Sequence, residues 1–364
     1  MQIHESAIFN LMIISRTPYR ISFFGGGTDY PSWYRKHGGQ VLSSTIDKYI
    51  YISCRYLPPF FEHRIRLVYS KVEACSHIDE IQHPAAREIL KAYQVSTGVE
   101  IHYDGDLPAR SGMGSSSAFS VGLINAVSAY AGLSRSKEQL AREAINIEQN
   151  VLKEQVGSQD QVNAAYGGLN HIYFQEDGGL DIQEVNVSEG RKQELRENLM
   201  LFYTGIMRTA ETVASSYLND LTSQEQRLIR MENFVDEAID IVTGQGDLAN
   251  FGRLLHETWM EKRSLSSLVS NAQVDEIYAA ACSAGALGGK LTGAGGGGMM
   301  LLFVPKKYQR QVRKVLSRLL YIPFKFSSTG SEVIFRDEQT RYDEAISRPA
   351  DLKKFVEVDE LEGS

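Results

Sequence analysis

The stretch Pro108-Ala-Arg-Ser-Gly-Met-Gly-Ser-Ser-Ser-Ala118 constrains the fold more than any other part of the chain. Ahead of it, Val99, Ile101 and Tyr103 alternate with polar residues, which predicts a half-buried strand over 99–107. Behind it, Phe119, Val121, Leu123, Ile124, Val127 and Tyr130 recur at helical spacing up to Gly132. A strand therefore enters a Gly/Ser loop, and the loop opens a helix. Gly112 and Gly114 permit a tight path and close approach of a ligand to the backbone. Ser115, Ser116 and Ser117 stand where N-caps stand, and the N–H groups of a first helical turn form an anion site. The stretch reads as a phosphate cradle or, at its plainest, as a capped loop. Three serines and two glycines exceed what a cap requires.

With 364 residues, 43% of them hydrophobic and 23% charged, the chain has the composition of a globular protein long enough for two domains. A net charge of −7 argues against broad binding to nucleic acid or an anionic membrane, but local basic residues could still hold a small anion. Cys54, Cys75 and Cys282 are scattered and odd in number, suggesting neither a disulfide framework nor a zinc site, and so a reducing cytoplasm. The apolar patch from Ile8 to Ile14 is broken by Asn10 and has no basic leader, so a first strand is expected there rather than a signal peptide. No apolar run approaches the roughly 20 residues that span a bilayer. Oligomeric state is open.

Taken in order, residues 11–22 read as β, interrupted at Thr17-Pro18. Gly25-Gly26-Gly27-Thr28-Asp29-Tyr30 follows, with bare backbone, a hydroxyl and a carboxylate together. Such a loop suits a polyhydroxylated ligand, and equally a hairpin turn in which Asp29 caps the next segment. Residues 40–56 predict a strand pair, 57–84 an irregular region and 84–97 a helix. His63, His77 and His83 lack metal-ligand spacing.

Lys137–Val156 reads as one helix, with Leu140, Ala144, Leu152 and Val156 every fourth residue and Glu148 on the same stripe. A carboxylate there either reaches solvent at the helix edge or holds a cation, and a metal role is the reading preferred. Asp160, after Gly157-Ser158, reads as the N-cap of a short helix over 162–166 or as a placed catalytic acid. The acidic texture of 175–197 predicts the domain boundary, dividing 1–190 from 191–364. Residues 199–203 predict a strand and 206–263 mostly helix; Lys262 and Arg263 read as solvated charges that could meet an anionic group. Gly293, Gly295 and Gly298 satisfy G-x-G-x-x-G but open onto the apolar run 299–304, not a helix, so no dinucleotide fingerprint is read. Lys290 lacks the glycine and hydroxyl of a Walker loop, having Ala284 and Leu291 at those positions. A helix over 306–319 and β segments near 321–326 and 331–336 complete a mixed second half.

Three motifs stand in one order: Pro18-Tyr-Arg20 with Gly25–Tyr30, the loop 108–118, and Lys290–Gly298. Together they resemble the GHMP small-molecule kinases over nearly the whole chain. The resemblance implies an α+β, two-domain fold with a ferredoxin-like second half and the active site in the interdomain cleft. It implies ATP on Pro108, Arg110, Ser111, Gly112, Met113, Gly114, Ser115, Ser116 and Ser117. Mg²⁺ would lie on Ser116 and Glu148, with catalysis by Asp160 and Arg20. Gly26, Gly27, Thr28, Asp29, Gly293, Ala294, Gly295 and Gly296 would face the substrate. The run Arg16-Thr-Pro-Tyr-Arg-Ile-Ser-Phe-Phe-Gly-Gly-Gly-Thr-Asp29 is similar to the branch that phosphorylates D-glycero-D-manno-heptose 7-phosphate at its anomeric carbon. Galactokinases carry Glu and His where this chain has Gly26 and Gly27, which points away from galactose; fucokinases share the glycine-rich version. A binding protein on the same fold is the alternative outside the enzymes, and Arg20, Glu148 and Asp160 together argue against it. Phosphoryl transfer rests on positioning and charge neutralisation, and a backbone cradle, a metal, a cation and an acid suffice for it. An acid beside Arg20 is a weak base, so Asp160 is expected to orient the sugar hydroxyl and accept its proton late.

Overall fold

The computed structural model describes residues 11–338 except 59, 62, 96–97, 207–212 and 217–220. The patch 8–10 and the segment 339–364 of the expected second domain lie outside the described residues.

Two strands dominate the first sheet. β1 (Leu11–Phe24) runs unbroken through Pro18 because the ladder is irregular there. Pro18 pairs with Tyr49 and Arg20 with Thr45, so three residues of β2 (Gly39–Tyr56) oppose Tyr19 alone. Proline has no N–H for a ladder and is accommodated at such irregularities, which also re-aim neighbouring side chains. Here the N–H of Arg20 leaves the ladder and donates to the carbonyl of Met113 in the Ser-rich loop (3.2 Å).

The strand pair expected over 40–56 is one continuous strand. β2 pairs with β1 on one side; on the other, Gly39–Ser44 pairs with β6 (Leu169–Phe174) and Ile50–Tyr56 with β5 (Val99–Gly105). β3 (Ile65–Val68) and β4 (Val72–Cys75) extend the sheet within the stretch 57–84 that sequence leaves irregular, and β7 (Leu180–Glu184) extends it beside β6. The short helices α1 (Pro31–His37) and α2 (Pro84–Ala92) begin on prolines, whose missing N–H is one a helix start leaves unpaired. α3 (Ser115–Tyr130) follows the Ser-rich loop and is buried from Ser117 to Tyr130, packed on β1 and β2. A helix apolar all round belongs in a core.

α4 (Lys137–Ile145) ends well before Val156, unlike the expected helix. A π turn over Asn146–Val151 takes up the chain, and residues 152–157 are irregular. π turns widen the helix and concentrate at functional sites; this one carries Glu148 into the interior, 1% exposed. α5 (Gln159–Tyr166) and α6 (Glu189–Asn198) follow.

The second sheet has the order β11-β8-β10-β9, with β8 (Leu199–Tyr203), β9 (Gly288–Leu291), β10 (Met299–Phe303) and β11 (Leu320–Ile322) all antiparallel. Helices α7 (Leu221–Thr243) and α8 (Ala249–Arg263) pack on each other, and α8 covers β9 and β10. α9 (Ala272–Ser283) and α10 (Gln309–Val315) complete this half. β12 (Glu332–Glu338) then returns to the first sheet and pairs with β1, so this part of 191–338 is built into the N-terminal sheet. The two sheets share one apolar core. No helix of the described residues is long and apolar enough to cross a membrane.

Candidate active site

A cleft of about 220 Å³ opens where the two sheets meet. The Ser-rich loop forms one wall. Gly114, not a serine, is the N-cap of α3, at φ 76°, a left-handed conformation that side chains rarely adopt. Ser115, Ser116 and Ser117 are therefore the first helical residues, and the first intrahelical bond runs from Ala118 N to Gly114 O (2.9 Å). Their N–H groups lie ahead of that ladder at the positive end of the helix, the arrangement that receives phosphate. Of the loop residues named from sequence, Arg110, Gly112, Gly114 and the three serines line the cleft. Pro108 is exposed outside it, and Ser111 and Met113 are buried behind it, Ser111 accepting from Met299 N (3.1 Å).

Against this wall packs a bidentate ion pair. Arg20 Nε donates to Asp160 Oδ1 (2.6 Å) and Nη2 to Oδ2 (2.7 Å), while Nη1 donates to the carbonyl of Gly112 (2.7 Å). The planar guanidinium fork fits a carboxylate in two bonds and so fixes its orientation. Asp160 is in the first turn of α5 and caps nothing; the N-cap position is Ser158. Asp29 does the capping across the sequence, its Oδ2 accepting from Gln159 N (3.4 Å) and its Oδ1 from Gly27 N (3.0 Å). It fits only because residue 157 is glycine: a Cβ there would stand 1.9 Å from Oδ2. Burial, then the charge of Asp160, raises the Asp29 carboxyl above its usual range, and the backbone donors oppose this.

Gly26, Gly27 and Asp29 line the cleft, whereas Thr28 does not. Its hydroxyl donates to Gly25 O (2.8 Å) and Gln40 O (2.9 Å) and accepts from Gln40 N (3.1 Å), so Thr28 fastens the loop to β2 instead of meeting a ligand. Gly293, Ala294 and Gly295 also line the cleft, Gly293 packed on Gly112 of the Ser-rich loop; Gly296 is not in the lining, and its N–H donates to Val269 O (2.8 Å).

Glu148 lies behind the Ser-rich wall. Its Oε2 accepts from Ser117 Oγ (2.9 Å) and from Gln161 Nε2 (2.5 Å), and Oε1 has no partner. The serine meeting it is Ser117; Ser116 points to the open side. Burial pushes the Glu148 carboxyl up to about 7, opposed by hydroxyl and amide donors. An orphaned buried carboxylate oxygen beside a serine hydroxyl and a phosphate cradle fits one hard cation. Mg²⁺ is held with one or two carboxylates and otherwise by phosphate and water, and no cluster of three or more His, Cys, Asp or Glu among the described residues could hold a metal.

Among the further cleft residues, Ser22, Gln159, Lys262 and Lys290 have no assigned site role in the sequence reading, although Lys290 opens the third motif and Lys262 reads as a charge that could meet an anionic group. Lys262, read as a solvated charge, is 6% exposed. Its Nζ donates to Leu291 O (3.2 Å) and to Gly293 O. The signal was its place on the stripe Phe251, Leu255, Thr258, Trp259, a buried face of α8. Arg263, its neighbour, points elsewhere and pairs with Asp275 (2.8 Å). Lys290 Nζ donates to Phe23 O on β1 (2.8 Å). Burial, then the charge of Arg20, pulls the Lys262 ammonium down to about 7; burial and then Lys262 hold Lys290 well below its usual range.

Known proteins resemble this chain in sequence and fold. Residues 80–168 match the GHMP kinases N terminal domain and residues 236–322 the GHMP kinases C terminal domain. The chain belongs to the GHMP kinases. It is 28% identical over 333 residues to D-glycero-alpha-D-manno-heptose 7-phosphate kinase of Campylobacter jejuni subsp. jejuni serotype O:2, covering 87% of this chain and 97% of the relative. It is 26% identical to the L-fucokinase/L-fucose-1-P guanylyltransferase of Bacteroides fragilis, over 88% of this chain and 38% of that longer protein. The fold is shared with a D-glycero-D-manno-heptose 1-phosphate kinase from Bacteriodes thetaiotaomicron (TM-score 0.74, 21% identity, 90% of this chain and 100% of that one). Lactococcus lactis galactokinase complexed with galactose also shares it (TM-score 0.67, 17% identity, 89% and 95%). GHMP kinases use ATP as phosphoryl donor.

Proposed function

We propose that the protein transfers the γ-phosphoryl group of ATP to the anomeric hydroxyl of D-glycero-D-manno-heptose 7-phosphate, giving the 1,7-bisphosphate for nucleotide-activated heptose and surface glycans. One observation carries the reading: the Arg20–Asp160 pair stands between a phosphate cradle and a floor of two buried lysines, so the cleft suits an anion at both ends. ATP phosphates would lie on the N–H groups of Ser115, Ser116 and Ser117. Glu148 and Ser116 would hold Mg²⁺, with Ser117 orienting the Glu148 carboxylate, and the ion would supply neutralisation of phosphate charge. Gly26, Gly27 and Asp29 would receive sugar hydroxyls. Asp160, held by the Arg20 fork, orients the anomeric hydroxyl; its oxygen bonds to the γ-phosphorus as the bond to ADP breaks, and the proton passes late to Asp160. Arg20 compensates charge on the transferring group. We infer a cytoplasmic setting, which the unpaired state of Cys54, Cys75 and Cys282 supports.

The test is ADP release over a panel of heptose 7-phosphate, free heptose, fucose, galactose, mannose, homoserine and mevalonate, with Asp160→Ala beside it. Release with heptose 7-phosphate, lost in the variant, is expected. Release with fucose alone would replace the substrate, and ligand-dependent thermal stabilisation without ADP would replace the kinase by a binding protein.

A further inference from the structure

We propose that Lys262, Lys290 and Ser22 form the subsite for the phosphate that the acceptor sugar already carries, and so set the preference for a phosphorylated over a free sugar. This rests on the heptose 7-phosphate reading above.

Three observations converge. First, both ammonium groups are buried, at 6% and 2% exposure, and neither forms an ion pair with any described residue. Their bonds go to backbone carbonyls, two from Lys262 and one from Lys290, which leaves N–H donors on each. A buried ammonium without a counter-charge is costly and is retained where it has work to do. Second, the charges facing the pair do not balance. Arg20 comes from β1, Asp29 from the loop after it and Asp160 from α5; Asp160 is already taken by Arg20. With both lysines charged, three cations thus face two carboxylates, an excess of one positive charge that an anionic group on the substrate would offset. Third, Ser22 Oγ, 5% exposed and lining the same cleft, has no hydrogen-bond partner. It stands beside Phe23, whose carbonyl holds Lys290.

Position agrees. Phe23, whose carbonyl holds Lys290, lies three residues beyond Arg20 on β1, and both lysines feel the Arg20 charge, so the subsite adjoins the Arg20–Asp160 pair.

The lowered proton affinity of the two lysines yields a second readout. A sugar phosphate is a dianion near pH 8, and bound between them it favours their charged forms, so binding takes up protons.

The experiment measures kcat/KM for heptose 7-phosphate and for free heptose in wild type, Lys262→Met and Lys290→Met, with melting temperatures to establish folding. Calorimetry near pH 8 in two buffers of different ionisation enthalpy then counts protons taken up by wild type. Wild type is expected to prefer the phosphorylated sugar. Each variant should lower that preference about 100-fold, the usual scale for removing one partner of a buried charge contact, and wild type should take up protons with heptose 7-phosphate but not with free heptose. Equal losses on both sugars, with the preference intact, would overturn the proposal and place the lysines on the transferring phosphoryl group. A wild type without preference would overturn it together with the substrate reading. If one variant does not fold, the other decides, and proton uptake in wild type decides independently.

Discussion

The two walls of the cleft handle anions by opposite means. The Ser-rich wall uses backbone: N–H groups at the start of α3, set by Gly114 and carrying no formal charge. The lysine floor uses side chains, Lys262 and Lys290, whose charges are buried and unbalanced. A backbone cradle costs little to keep empty and accepts any phosphate of the right shape. A buried ammonium pair is expensive when empty and repays only a ligand of matching charge and place. On the proposed function, the shared cosubstrate would lie on the first wall and the discriminating substrate on the second, with Arg20 joining them through Gly112 O and Asp160.

The largest expected effect lies between the walls. Asp160→Ala should lower kcat about 10³-fold, the range for a positioned acid or base, with Mg·ATP binding by fluorescence titration little changed; a loss below tenfold would sink the role given to Asp160. Next comes Gly114→Ala. A Cβ at φ 76° would lie 3.2 Å from Arg20 Cγ and 3.3 Å from Asp160 Oδ2, straining the cradle and the ion pair together. Strain of about 1–3 kcal/mol predicts a loss in kcat/KM for ATP of about 10- to 100-fold; a variant with wild-type kinetics would show that the cradle tolerates a side chain. Smaller again, Ser117→Ala removes a donor that orients the Glu148 carboxylate and should weaken apparent Mg²⁺ affinity about tenfold, with Ser116→Ala run beside it to separate the two serines. The smallest concerns the floor. Lys262 titrates lower in the folded chain, so its contribution is present above its ordinary pKa and is lost as pH falls toward about 7. Thermal melts of ligand-free protein should therefore fall between about pH 10 and pH 7 by more in wild type than in Lys262→Met; parallel curves would mean that Lys262 is not destabilised by burial.

Much of this was legible in the residues. The change from alternating to helical spacing around residues 108–118 located the strand, loop and α3, because period-two and period-3.6 burial leave different traces. The buried stripe reached Glu148, but the helix end was misplaced: a π turn keeps the apolar spacing for a few residues and then releases the chain. Pro18 read as a break and proved compatible with a strand, since a ladder irregularity is decided by the partner strand. Thr28 and Asp29 look alike from sequence as polar residues in a glycine loop, and only tertiary neighbours separate them: Gln40 consumes the hydroxyl and α5 takes the carboxylate. Arg20 with Asp160 came from resemblance, being 140 positions apart. Lys262 and Lys290 were missed as a pair because a lysine is usually solvated, and only the β9–α8 packing turns both into the cleft.

The central claim is that a sugar already carrying one phosphate receives a second at its anomeric oxygen. Phosphorus NMR of the reaction of heptose 7-phosphate with Mg·ATP tests it most directly. The account predicts ADP and one new sugar phosphorus resonance, coupled to the anomeric proton, beside the retained 7-phosphate, and neither in Asp160→Ala. ADP without that coupling, or no new sugar phosphate while another sugar of the panel is consumed, would contradict it.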